Sequence, residues 1–225
     1  MRHDQAMESE RPEAEVAGRP PGRPAVPADL FVTAALGIID EDGLDAVTMR
    51  AVAQRLGSGT ATLYRHFENR SHLLGAVLDR VLSEAAEAVA SEEHDGWADE
   101  LRSICRATFD SLSRHRRVLP LLVLQLPSGP HAAAGRQRII RVLIEAGCPP
   151  ERARAAYATL ARYVLGFAIQ RAHDTGDAIV EPGDDPAPSI PLEVEFAFGL
   201  DLLLAGLDQL VVDPEPSGDE GGVNR

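Results

Sequence analysis

Between Val47 and Leu74 the chain reads VTMRAVAQRLGSGTATLYRHFENRSHLL. Inside it, Thr60, Thr62, Tyr64, Arg65 and His66 gather hydroxyl, phenol, guanidinium and imidazole groups on one short segment. Leu63 and Phe67 are its apolar anchors. A short helix that gives so many positions to hydrogen-bonding side chains is built to touch something rather than to fill a core. Two short helices about a glycine turn, the second carrying these groups, predict a helix-turn-helix whose second helix reads the major groove of DNA.

The elements that must hold this segment are legible on both sides. Pro27 sits where a helix starts, and Asp29 adds negative charge to its first turn. Leu30, Phe31, Ala34, Ala35, Ile38 and Ile39 then recur at helical spacing, with Gly43 as the stop. Thr48 is the expected cap of the next helix, with Met49, Val52, Ala53 and Leu56 facing inward. Gly57-Ser58-Gly59 makes the turn, and Ser58 is a candidate cap for the helix after it. Asn69 is the expected cap of a longer helix whose Leu73, Leu74, Val77, Leu78, Val81 and Leu82 form one stripe.

The remainder reads as helices too. One runs from about Gly96 to Arg116. Pro120, Pro127 and Pro130 interrupt the region that follows, Ala132 to Ala146 is helical up to Gly147, and Pro149-Pro150 opens a long helix to about His173. The last helix, Leu192 to Val212, is apolar on nearly every side. Such a helix is either central to its own core or shared between that core and a second subunit, and the second reading is preferred.

Composition bounds the function. The chain of 225 residues has a net charge of −13, which argues against a nucleic-acid partner until its distribution is considered. From Ala46 to Gly75 there are four arginines, Arg50, Arg55, Arg65 and Arg70, against Glu68 alone. From Val16 to Ala28 there are Arg19 and Arg23 and no acid. Residues 1–26 are charged and rich in Pro and Gly, either a plain tail or an arginine arm for the minor groove. Cys105 and Cys148 lack the spacing of a zinc site or disulfide framework. No signal-peptide core or membrane-length apolar run is present, so a cytoplasmic setting is expected. No G-x-S-x-G elbow, H-E-x-x-H pair or Walker loop appears, so no enzyme activity and no cofactor are expected.

Residues Ala28 to about Val77 resemble the N-terminal domain of the TetR family of bacterial transcriptional regulators. The resemblance is carried by Thr48, Arg50, Ala53, Leu56 and Gly57, then by Thr62-Leu63-Tyr64-Arg65-His66-Phe67, then by Asn69-Arg70. More loosely, YVLGFAIQ from Tyr163 and EFAFGLDLLLAGL from Glu195 resemble the regulatory domain of the tetracycline-repressor branch. The resemblance implies an all-α fold: an N-terminal three-helix DNA-binding domain with a helix-turn-helix, then a helical ligand-binding and dimerisation domain. The expected divisions are a disordered arm over 1–26, the helix-turn-helix domain over 27–74, the regulatory domain over 75–212 with a mobile loop over 174–191, and a disordered tail over 213–225.

The resemblance also implies roles. Arg50 would meet a base edge or phosphate, Thr60, Ala61, Thr62 and Arg65 would face the groove, and Tyr64, His66 and Arg70 would hold phosphates. Trp97, Phe109, Leu122, Gln125, Tyr157, Tyr163 and Phe167 are candidates to line a small-molecule pocket. Gly59 and Ala61 depart from the polar or bulkier residues of many relatives, which shifts base reading toward Arg65 and Arg50. Leu122 and Gln170 stand where tetracycline-binding members carry a histidine and a glutamate, so no metal site and a more apolar effector are expected. The expected function is a homodimeric, effector-released repressor on a palindromic site of double-stranded DNA, with no membrane partner. An activator of the same fold, or a helical ligand-binding or scaffold protein without DNA affinity, are the alternatives.

Overall fold

The computed structural model describes residues 26–124, 127–173 and 190–212. Among them there are nine α-helices and no strand: α1 (Ala28–Asp42), α2 (Met49–Arg55), α3 (Thr60–Tyr64), α4 (Arg70–Ala88), α5 (Trp97–Arg114), α6 (Leu119–Leu124), α7 (Pro130–Glu145), α8 (Pro150–His173) and α9 (Leu192–Val212). Short 3-10 turns at Leu44–Ala46 and Arg116–Val118 link α1 to α2 and α5 to α6. The expected loop over 174–191 and the two tails fall almost wholly outside the described residues.

The first three helices wrap a core of Phe31, Ala35, Ile39, Val47, Val52 and Leu63. Thr48 caps α2, its Oγ1 accepting from the Ala51 amide at 3.0 Å, and Asn69 caps α4 by accepting from His72 at 2.9 Å. Two expectations need correction. Leu30 is 49% exposed, because Phe31 and Val32 take the inward positions at the start of α1. Ser58 does not cap α3: Gly59 holds the N-cap position, and the Ser58 hydroxyl turns to the Gly59 carbonyl.

Helix α4 is the element common to both halves, packing against α1 on one side and α5 and α7 on the other. Its buried polar groups are all occupied. The Ser111 hydroxyl on α5 donates to the Val81 carbonyl at 2.7 Å. The carboxylate of Asp79, only 7% exposed, receives the first amides of α7, from Ala132 at 2.9 Å and His131 at 3.3 Å, and the His131 ring at 2.8 Å. A carboxylate there satisfies helix-end amides and opposes the positive end of the α7 dipole. Gly129 is obligatory beside it, since a Cβ would collide with the Asp79 carboxylate.

A second lock lies at the end of α5. His115 Nδ1 sits 2.8 Å from Asp40 on α1, and its Nε2 sits 3.1 Å from Glu84 on α4. Arg117 donates to the Asp40 carbonyl at 3.1 Å. The end of α5 therefore grips the C-terminal end of α1 and the middle of α4 together.

Replacing Asp79 by alanine leaves two α7 amides without an acceptor, in a place water reaches poorly. Asp79→Ala is expected to lower stability by about 1–3 kcal/mol. The urea midpoint followed by circular dichroism measures this, and an unchanged midpoint would contradict the capping role.

Candidate nucleic-acid interface

The elbow begins with the cap at Thr48 and ends with the anchors on α3. After α2, the Gly57 amide bonds Gln54 O at 3.0 Å and the Ser58 amide bonds Ala53 O at 2.9 Å. Gly57 adopts φ 58°, a conformation that costs most L-residues and not glycine. Gly59 is in ordinary extended backbone, so one glycine of the pair makes the turn.

Helix α3 spans only Thr60–Tyr64, with Arg65 at its C-cap and His66 already in the turn beyond. Leu63 is fully buried and Phe67 is 5% exposed, and these two fix the roll of the helix. Thr60, Ala61, Tyr64 and Arg65 then face outward together with Arg50 from α2, and Thr62 is half-buried. Tyr64 is 54% exposed, far more than a core-edge tyrosine. Among the described residues, the side chains of Arg50, Thr60, Thr62, Tyr64 and Arg65 hold no hydrogen bond or ion pair.

Two members of the expected set face elsewhere. Arg70 is committed inward: its Nε donates to Val47 O and its Nη2 to Leu44 O, both at 2.7 Å. It clamps the Leu44–Ala46 turn and the start of α2 to α4, a role that spends two of its five N–H donors on backbone carbonyls. His66 is half-buried, packed on Phe31 with ring centroids 5.8 Å apart and on Phe67 at 6.3 Å. Its Nε2 lies 3.0 Å from the Val26 carbonyl. Val26 therefore belongs to the folded part, although the sequence assigns residue 26 to a disordered arm. Nothing in the spelling of the sequence marks this tie.

Arg55 is also used internally. It pairs with Glu41 on α1 through both terminal nitrogens, one at 2.8 Å. The Arg55 hydrogen bond holds the Glu41 carboxyl below its ordinary range. Of the four arginines from Ala46 to Gly75, Arg50 and Arg65 remain on the outward face.

The expected pocket residues separate into groups. Phe109, Tyr163 and Phe167 come together around Phe196 of α9, which sequence reasoning missed. Phe109 stacks on Phe196 at 4.3 Å and 15°, and Tyr163 lies 4.8 Å from Phe167 and 5.4 Å from Phe196. The Tyr163 hydroxyl donates to the Phe196 carbonyl at 2.7 Å, and burial pushes its pKa up. It fits there because Gly199 has no Cβ to meet it. Trp97, Leu122 and Tyr157 are half-buried against the core, outside this ring contact, and Gln125 lies outside the described residues. Two surface recesses of about 310 and 380 Å³ are lined by polar residues, Asp40 with Arg114, Arg116 and Arg117 in one and His94 with Arg102 and Arg106 in the other, and by none of the expected set. Among the described residues no cluster of His, Cys, Asp and Glu suits a metal ion, and no helix is long and apolar enough to cross a membrane.

Comparison with known proteins agrees with this geometry. Residues 31–77 match the family described as bacterial regulatory proteins, tetR family, and residues 90–181 match the tetracyclin repressor-like C-terminal domain. The chain is 29% identical over 194 residues to the tetracycline repressor protein class G of Vibrio anguillarum, covering 80% of this chain and 92% of that protein. It superposes with a TM-score of 0.69 on the Streptomyces coelicolor TetR family protein ActR in complex with (S)-DNPA, at 30% identity over 82% of this chain and 98% of that one. It superposes with a TM-score of 0.61 on BioQ bound to its double-stranded DNA operator, at 29% identity over 81% and 98%. An elbow with an unpartnered polar face, an all-helical body behind it, and matches that run through both place the chain in the TetR family of bacterial regulatory proteins.

Proposed function

We propose that this chain is a homodimeric repressor that holds a palindromic operator through α3 and is released by a small, largely apolar effector. The observation that carries the reading is the outward face of Arg50, Thr60, Tyr64 and Arg65. Among the described residues none of these donors is tied to the protein's own fold, so all are free for phosphates and base edges. BioQ, a relative of the same fold, is known bound to its DNA operator. Here Arg65 and Arg50 supply forked donors for guanine edges or phosphates, and Thr60, Thr62 and Tyr64 supply hydroxyls that set register. Arg70 and His66 act behind the face, holding it in position.

Pairing of two subunits is supported by α9. Val194, Phe198 and Leu202 recur every fourth residue and are 56%, 64% and 59% exposed. Beside them α8 presents the small residues Ala155, Thr159 and Gly166. Two copies of such a surface close against each other about a two-fold axis, and a two-fold protein reads a two-fold site.

The effector reading rests on the aromatic group of Phe109, Tyr163, Phe167 and Phe196, which joins α5, α8 and α9. An apolar molecule with flat rings, entering among them, would press on the pairing helix α9 and on α5, whose end grips α1 and α4. Release requires only that the effector prefer the displaced arrangement, by about 1–3 kcal/mol of coupling. ActR, with comparable identity, is known in complex with a small molecule.

Three outcomes are expected. Arg65→Ala loses about 1–3 kcal/mol of operator binding and relaxes one base position, whereas Arg70→Ala lowers the melting temperature of the free protein; equal footprint titrations for wild type and Arg65→Ala would refute the groove contact. Phe198→Asp yields a monomer in analytical ultracentrifugation and loses cooperative operator binding; a dimer of unchanged affinity would refute the α9 interface. Isothermal titration with tetracycline gives no magnesium-dependent heat, since Leu122 and Gln170 offer a hard cation no anionic ligand; tight magnesium-dependent binding would refute the apolar reading.

A further inference from the structure

We propose that the recess at the end of α5, where the body grips α1, is a binding site for a small anion carrying phosphate or carboxylate groups. It is lined by neither the aromatic group of Phe109 and Phe196 nor the outward face of α3. The proposal does not depend on the DNA-reading role given to α3.

The first support is charge. The recess of about 310 Å³ is walled by Asp40 from α1, Ser113 and Arg114 from the last turn of α5, and Arg116 and Arg117 from the 3-10 turn beyond. Three guanidiniums thus stand against one carboxylate, in a chain whose net charge is −13. That carboxylate is already engaged, since Asp40 Oδ2 lies 2.8 Å from His115 Nδ1. The neighbouring acids are engaged as well. Glu84 lies 3.1 Å from His115 Nε2 and 3.3 Å from Arg114 Nη1, and Glu41 pairs with Arg55. The carbonyl ends of α1 and α5 each add about half a negative charge, too little to cancel the arginines.

The second support is the state of the donors. Arg117 gives Nη1 to the Asp40 carbonyl at 3.1 Å and to the Glu41 carbonyl, which fixes its guanidinium at the wall. Arg114 gives Nη1 to Glu84. Arg116 is exposed and, among the described residues, holds no hydrogen bond or ion pair. Guanidinium forks suit the oxygens of phosphate and carboxylate groups, often two at a time.

The third support is Ser113. Its Oγ is shut off from solvent and has no hydrogen-bond partner. A hydroxyl on a helix commonly turns back to the carbonyl four residues earlier, as Thr108 does to Ile104 at 2.8 Å and Thr159 to Ala155 at 3.1 Å. Ser113 makes no such bond, and a buried hydroxyl left unpaired costs free energy. A rotation about its χ1 turns the hydroxyl toward an oxygen seated among the arginines, and the anion then supplies the acceptor that the fold does not. Bound there, it would tie the turn after α5 more firmly to the end of α1.

The test is isothermal titration of the full-length protein with sodium pyrophosphate and, separately, with citrate, each against sodium chloride at equal ionic strength. At least one is expected to bind at a single site and to raise the melting temperature, and the tighter of the two tells phosphate from carboxylate recognition. Arg116→Ala and Ser113→Ala, with folding verified by circular dichroism, are each expected to bind about tenfold weaker. Ser113→Ala is also expected to melt no lower than wild type in chloride, because it removes an unpaired hydroxyl. The R50A/R65A variant, altered on the α3 face, is expected to bind the anion as wild type does. Binding of neither probe beyond the chloride control overturns the site. So does unchanged affinity in either single variant, a Ser113→Ala protein that melts below wild type in chloride, or loss of the anion in R50A/R65A. No readout here involves DNA, so the site and the operator reading stand or fall separately.

Discussion

The burial of Leu63 and Phe67 is the interaction on which the rest depends. A helix of five residues has no stability of its own, because the cost of its first turn is spread over too few bonds. Helix α3 exists because these two side chains sink into the core formed by Phe31, Val47 and Val52. That burial fixes its roll as well as its presence. With Leu63 inward, Ala61 and Arg65 fall on the opposite side and Tyr64 on its flank, while Thr60 stays open as the first residue of the helix. The caps at Thr48 and Asn69, the bend at Gly57 and the Arg70 clamp all serve the same end, the rigid placing of one small face.

Helix α4 carries that face to the body. It is bound at three levels: Arg70 to the turn below, Glu84 through His115 to α1 and α5, and Asp79 to the start of α7. Such a helix cannot shift alone. A displacement of α5 or α7 must either break these contacts or carry the head with it, and packed cores favour the second course. This gives a physical route by which a molecule lodged among Phe109, Tyr163 and Phe196 would alter the spacing of two heads.

Much of this was readable before any coordinates. The helices from Ala28 to Leu82, their caps at Thr48 and Asn69, and the outward residues of α3 followed from spacing and local chemistry, because short-range rules govern them. The misreadings share one cause. Arg70 reads as a phosphate contact and Arg55 as part of the local positive charge, but their partners, Val47 O, Leu44 O and Glu41, are brought to them only by the packing of α1, α2 and α4. His66 finds Val26 across forty residues, and Phe196 finds Phe109 across the whole regulatory part. Long-range partners of polar and aromatic groups leave no mark in a single sequence. The exposed stripe on α9 was half legible: its apolarity was visible, but which side stays open depends on where α8 lies.

The chain is acidic overall, yet the stretch proposed to meet DNA, Ala46 to Gly75, holds four arginines against Glu68 alone. On the proposed reading, such a protein would hold unrelated DNA weakly and rely on the geometry of two paired heads for its affinity. Hydroxyl-radical footprinting of the full-length protein on DNA upstream of its own gene tests this most directly. The account predicts two protected patches on one face of the duplex, centred one helical turn or a multiple of it apart, each with a guanine whose N7 methylation blocks binding. A single patch, or protection no greater than on unrelated DNA, would contradict it.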